Sequence, residues 1–278
     1  MIYDFIQPFL KNEGNTVYDV HSGTRRSFDL DTAELAFRRL ADEVFDHGGT
    51  GSNHSAYEAS GALFNILCIE NDSIRDVYFD TFMNGTPNQD GFHTILNTIK
   101  TNDYLWPESF TYGKVTHEVV LHLLNVVDRY RDSLNLVNSH RSALKGAFLY
   151  QNMKYPNKTA AIRMGDSRRV KKTSCENLYL KVLAIAHRRN MNVYKNLAIQ
   201  RIQGLYNDEQ SFIPSIENQG LEWENPTKLF WGIDIDLENH SETVEYHSSA
   251  KFPHAGIGVL RNYNCENKEE HGLMGFIG

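Results

Sequence analysis

An asparagine and a histidine stand side by side at positions 53 and 54, in the stretch GGTGSNHSAYEASGALF (48–64), where a glycine-rich turn gives way to an apolar helical run. A side chain at a helix start is fixed by the turn before it and lies where backbone N–H groups point outward, which suits an anionic ligand group. The blander role is that Asn53 caps the helix and His54 is a polar first-turn residue. On these residues alone, that role is the commoner.

A second stretch, DYLWPESFTYGKVTHEVV (103–120), sets Pro107, Ser109 and Gly113 among Trp106, Phe110 and Tyr112 just before another long helix. The phenol of Tyr112 could move a proton if its surroundings lowered the usual pKa of about 10, or it could simply pack at the helix entrance. HEVVLH within the same stretch invites a zinc-protease reading, but His117 and His122 are five positions apart where a metal needs four. The fifth residue lies about 140° further round the helix, so the two rings diverge. A third stretch, AAIRMGDSRRV (160–170), carries Asp166 among Arg163, Arg168 and Arg169. Asp166 can orient a catalytic group or brace a turn, and the bases can face a polyanion or only solvent. No phosphate-cradling glycine loop, G-x-S-x-G elbow or cysteine nucleophile context is present.

The elements that must position these groups are mostly helices. Asp31 is expected to cap a helix bearing Leu35, Leu40 and Val44, which stops at Gly48. The run after Asn53 repeats Leu63, Ile66 and Leu67, and a later one repeats Val120, Leu123, Leu124 and Val127. Further helical runs carry Leu180, Leu183 and Ala184, then Leu197 and Ile202. After about residue 207 the character changes: SFIPSIENQGLEWENPTK is expected to link to short strands in TVEYHSS, AGIGVLRNY and GLMGFIG. The expected order is an all-α body followed by the beginning of a β domain, which stops in mid-strand.

The chain has 278 residues, 41% hydrophobic and 23% charged, enough for one large or two smaller folded domains. A net charge of −7 gives no support for nucleic-acid binding, which needs a basic footprint. Cys68, Cys175 and Cys265 show neither zinc-ribbon nor disulfide-framework spacing. No window reaches the roughly 20 apolar residues of a membrane span, and no export signal is written in the chain.

Taken in order, NHSAYEASGAL, LWPESFTYG, IRMGDSRR, PTKLFWG and FPHAGIGVLRN resemble the heparinase II/III-like polysaccharide lyases, from about residue 48 to the end. The resemblance implies an incomplete (α/α) toroid over residues 1–207, incomplete at its N-terminus. A linker and the start of an antiparallel β-sandwich, truncated, would follow over 208–278. It also implies β-elimination on an anionic, uronate-containing polysaccharide such as a glycosaminoglycan, alginate or ulvan, in the periplasm or outside the cell. Asn53 matches the asparagine that neutralises the carboxylate, His54 the toroid histidine and Tyr112 the catalytic tyrosine. Glu58, one helical turn after His54, would orient it or line the cleft. Trp106, Glu108, Arg163, Asp166 and Arg168 would contact the substrate. Family members supply a second histidine, and several a structural divalent metal, from a His-x-His stretch that lies beyond this chain. His240, His247, His254 and His271 do not match it, and no cofactor is expected here.

Two other classes compete. A toroid glycoside hydrolase would use two acids across a cleft, with Glu58, Glu108 and Asp166 available. A non-catalytic carbohydrate-binding or α-solenoid interaction protein would leave Asn53, His54 and Tyr112 unconverged.

Overall fold

A computed structural model describes residues 2–12, 14–153, 175–207, 249–255, 257–264 and 269–276. It is mostly helical, with two small antiparallel sheets. The order is α1 (Ile2–Leu10), β1 (Val17–Asp19), β2 (Thr24–Arg26), α2 (Leu30–His47), α3 (Asn53–Ile66), α4 (Asp72–Asn84) and α5 (Phe92–Thr101). Then come α6 (Phe110–Tyr130), α7 (Leu136–Ser139), α8 (Arg141–Leu149), α9 (Glu176–Arg188), α10 (Asn192–Asn207), β3 (Ala250–Phe252), β4 (Ile257–Asn264) and β5 (Glu269–Phe276). Two compact units are formed, Met1–Ile95 and Leu96–Gly278. The expected division at 207/208 falls where the described residues break off.

In the first unit, α2 starts one turn-residue pair earlier than its sequence suggests. Asp29, in extended conformation, accepts the Thr32 N–H at 2.9 Å and caps the helix; Asp31 lies inside it. The expected stripe is also displaced, because Leu35 and Leu40 are 46% and 52% exposed. Ala41 and Phe45 point inward instead. Leu35 and Leu40 are five apart and so diverge around the helix, whereas Ala41 and Phe45 are separated by one turn. Opposite them α3 buries Ala56, Ala59, Ala62, Leu63 and Ile66, and these small residues let two helix backbones approach closely. Phe82 stacks on Phe92 at 5.4 Å and tilts against Phe79 at 5.9 Å.

The connection between α4 and α5 is pinched at its base. Gly85 ends α4 at φ +82°, a conformation a side chain would strain, and bridges to Asp90 in antiparallel fashion. The resulting five-residue loop, Thr86 to Asp90, leans back on the segment between α2 and α3.

The second unit is organised on α6, which buries Val120, Leu121, Leu123, Leu124 and Val127 and is covered on more than one side. The stripe expected there holds. α8 and α9 pack against it and α10 packs on α9, with Leu144, Leu178, Leu183 and Ile202 in the core. Met153 and Cys175, on either side of residues 154–174, are both buried. At its far end Asp128 is fully buried between α6 and α9. It accepts Arg189 Nε at 2.9 Å and Arg189 Nη2 at 2.5 Å and is ion-paired with Arg188.

The strands expected in AGIGVLRNY and GLMGFIG are present as β4 and β5, paired antiparallel from Ile257↔Phe276 to Asn264↔Glu269, with β3 on the other side of β4. TVEYHS, the linker after residue 207 and PTKLFWG lie outside the described residues. The β1–β2 hairpin, Val17↔Arg26 to Asp19↔Thr24, is an element for which the sequence reading has no counterpart.

Candidate active site

The first unit carries Asn53, His54 and Glu58 on the opening turns of α3. The N-cap is Ser52, in extended conformation, so Asn53 is the first helical residue rather than the cap. The Ser52 hydroxyl makes no capping bond among the described residues. Asn53 is half-buried and His54 exposed, while Ser55 and Ala56 turn into the core and hold the helix face. Glu58 is half-buried, and its Oε2 is buried without a hydrogen-bond partner among the described residues. A Cβ on Gly49 would come within 2.9 Å of that oxygen and 3.5 Å of His54 Cβ, so the loop lies directly against this pair.

The loop itself is held from the α4–α5 connection. Gln89, 2% exposed, accepts the Gly49 N–H at 3.2 Å and donates to the Ser55 carbonyl at 2.8 Å. Asp90 accepts the Gly51 N–H at 2.7 Å. Neither residue was singled out by spacing; the only signal is a cluster of polar turn residues between two glycines, GTPNQDG.

The second unit carries Trp106, Glu108 and Tyr112. Asp103 and Tyr104 both adopt positive φ, 55° and 67°, and turn the chain out of α5. The Trp106 side chain is buried, and the backbone N–H of this residue donates to the Tyr150 hydroxyl at 3.3 Å. Tyr150 lies edge-on to Phe110 at 5.8 Å and to His117 at 5.5 Å. Phe110, Gly113 and His117 therefore mark the buried face of α6. Tyr112, half-buried in the first turn, is set about 200° round the helix from Phe110. Glu108 is half-buried just before the Ser109 N-cap. His254, at the turn after β3, donates its backbone N–H to Asp103 at 2.9 Å. Arg163, Asp166 and Arg168 lie outside the described residues.

The two histidines of HEVVLH are separately occupied. His117 is fully buried, its Nε2 hydrogen-bonds the Ala143 carbonyl at 2.7 Å, and burial pushes its pKa down to about 4. Burial, with the Lys181 charge nearby, also brings His122 to about 4. No group of three or more His, Cys, Asp and Glu able to hold a metal occurs among the described residues. None of their helices is long and apolar enough to cross a membrane.

Both depressed histidines make stability depend on pH. The unfolded chain protonates them near 6.5 and the folded chain only near 4, so their contribution is complete above pH 6.5 and is lost as pH falls to 4. For His117 the loss is about 1.4 kcal/mol per pH unit, or roughly 3 kcal/mol in all. His117→Gln keeps a neutral donor for Ala143. Urea unfolding should show the wild type losing this increment relative to the variant between pH 7 and 4; parallel curves would contradict it.

Residues 102–246 match the family described as endo-acting ulvan lyase 2nd domain. Over 286 aligned residues the chain is 30% identical to an endo-acting ulvan lyase of Formosa agariphila, an alignment that takes in all of this chain and 35% of that protein. The chain thus spans about a third of the length of the curated relative it matches. No solved structure matches it.

Proposed function

The chain belongs to the family of endo-acting ulvan lyase second domains, and from that membership we propose that it is part of a polysaccharide lyase that cleaves ulvan by β-elimination. The observation that carries the reading is the family match over 102–246, which includes Tyr112 and the GDSRR stretch. The Formosa relative extends the similarity to the Asn53–His54 segment. The heparinase II/III-like pattern is the finer form of the same proposal. In it, the helices are the arc of an incomplete (α/α) toroid, and β3–β5 begin an antiparallel sandwich.

The chemistry needs three functions. Asn53, at the N-terminus of α3, neutralises the uronate carboxylate and so makes the C5 proton acidic; the outward-facing N–H groups of the first turn favour the same anionic group. A base, Tyr112 for one C5 epimer and His54 for the other, removes that proton. The electron pair forms the C4=C5 double bond, the C4–O bond breaks, and Tyr112 returns a proton to the departing oxygen. Water is not consumed. Glu58 orients His54 or lines the cleft, and Glu108, Arg163, Asp166 and Arg168 contact the sugar chain, with Trp106 backing the loop that leads to Tyr112. A polymer of this size is met outside the cytoplasm, which supports a secreted or periplasmic setting.

The test is an ultraviolet assay of the full-length protein against ulvan, heparan sulfate, chondroitin, hyaluronan and alginate. Absorbance from a new 4,5-unsaturated uronate end is expected with ulvan. Cleavage without that chromophore would make the protein a hydrolase, and failure on every uronate polymer would overturn the reading.

A further inference from the structure

The glycine loop that delivers Asn53 and His54 is not left to solvent. Side chains of the Thr86–Asp90 loop bond to backbone groups in the last turn of α2, in the glycine loop and at the start of α3. Thr86 Oγ1 donates to the Phe45 carbonyl at 2.6 Å and Asn88 Nδ2 to the Asp46 carbonyl at 2.8 Å. Gln89 bonds both Gly49 and Ser55, and Asp90 takes the Gly51 N–H while its own N–H donates to the Gly49 carbonyl at 3.1 Å. Gln89 Nε2 also donates to the Asp90 carbonyl at 3.0 Å, which locks the amide's orientation.

Gln89 is the centre of this arrangement. Its amide is buried, and a Cβ on Gly48 would collide with its Oε1. On the far side of the loop, Gly49 lies against His54 and Glu58. The amide, the loop backbone and the first turn of α3 are therefore stacked without slack, so a shift of the amide is transmitted to Asn53 and His54. A misplacement of the order of 1 Å in a group that acts on the transition state costs about a hundredfold in rate.

We infer that Gln89 is a positioning residue for the Asn53–His54 pair, setting the register in which these side chains meet the uronate carboxylate. The inference rests on the lyase reading above. Because it acts on geometry at the reacting carbon, its loss falls on kcat more than on KM.

The test uses Gln89→Met, which keeps the side chain's length and removes its hydrogen bonds, in the full-length protein. At a temperature where the variant is folded by its melting curve, kcat should fall about ten- to a hundredfold, with KM changed less than about threefold. On an Asn53→Ala background, assayed with the C5 epimer for which Tyr112 rather than His54 is the base, the same substitution should cost less than about threefold further, because the positioned side chain that this reaction uses is already gone. Equal fold-losses in both backgrounds, or a loss that tracks the unfolded fraction, would overturn the inference. If Gln89→Met does not fold, Gln89→Glu, which keeps the acceptor for Gly49 and removes the donor for Ser55, carries the same cycle with the same outcomes. An inactive wild type would instead overturn the lyase reading itself, so the two failures are distinguishable.

Discussion

Tyr112→Phe is expected to lower formation of the unsaturated uronate by about a hundred- to ten-thousand-fold, the usual contribution of a positioned general acid or base. The fold should survive the change. Phe110, Gly113 and His117 form the buried side of the first turns of α6, and Tyr112 is set away from them. Loss of one hydroxyl from a half-buried ring removes a proton donor and little packing. Melting temperature and ultraviolet activity measured on the same preparation separate the two effects. Retained activity in a folded variant would remove Tyr112 from the mechanism, and lost activity together with lost folding would make it a packing residue.

The largest effect on stability is expected at the other end of the same helix. Asp128 is fully buried and holds Arg188 and Arg189 at once; Arg188 Nη1 also reaches the Asp128 carbonyl at 3.2 Å and Arg189 Nη2 the Asp132 carbonyl at 3.3 Å. Burial and the neighbouring Arg189 charge already push the Arg188 pKa down. Asp128→Asn leaves two adjacent cations without their shared anion, a loss of about 3–5 kcal/mol on the scale of a broken buried ion pair. Adding Arg188→Met should recover part of it by removing one stranded charge. Urea unfolding of the single and double variants measures both, and a cost below about 1 kcal/mol for Asp128→Asn would mean that solvent already screens the cluster. Asp128 is 16 residues from Tyr112, roughly 24 Å along the helix. Activity per folded molecule should therefore be unchanged.

The sequence made α6, α9 and α10 of the second unit and the β4–β5 ladder legible because their patterns are strong, while the short α7 and α8 had no such pattern. Val120, Leu123, Leu124 and Val127 repeat at helical spacing, and the two late runs are short, apolar and bounded by turn residues. It was least informative where small residues do the packing. In α2 the conspicuous leucines, Leu35 and Leu40, face water, while Ala41 is buried against an alanine-rich neighbour. Hydropathy gives alanine little weight, so the stripe was drawn through the wrong residues. The cap was misplaced by two positions because Asp29 and Asp31 are chemically equal and only the backbone conformation chooses between them. Asn53, His54 and Tyr112 stand out as candidates only through the ordered motifs of the family resemblance, and Gln89, which holds the loop before two of them, does not stand out at all. Gln89 acts on Gly49 across 40 positions, and a buried amide has the same letter as an exposed one.

Met153 and Cys175 are anchored in the core at either end of residues 154–174, which carry Arg163, Asp166 and Arg168. Both residues belong to the packing of the second unit, so the pair serves as an internal reference: a substitution between them that leaves the melting temperature unaltered has not reached the helical frame.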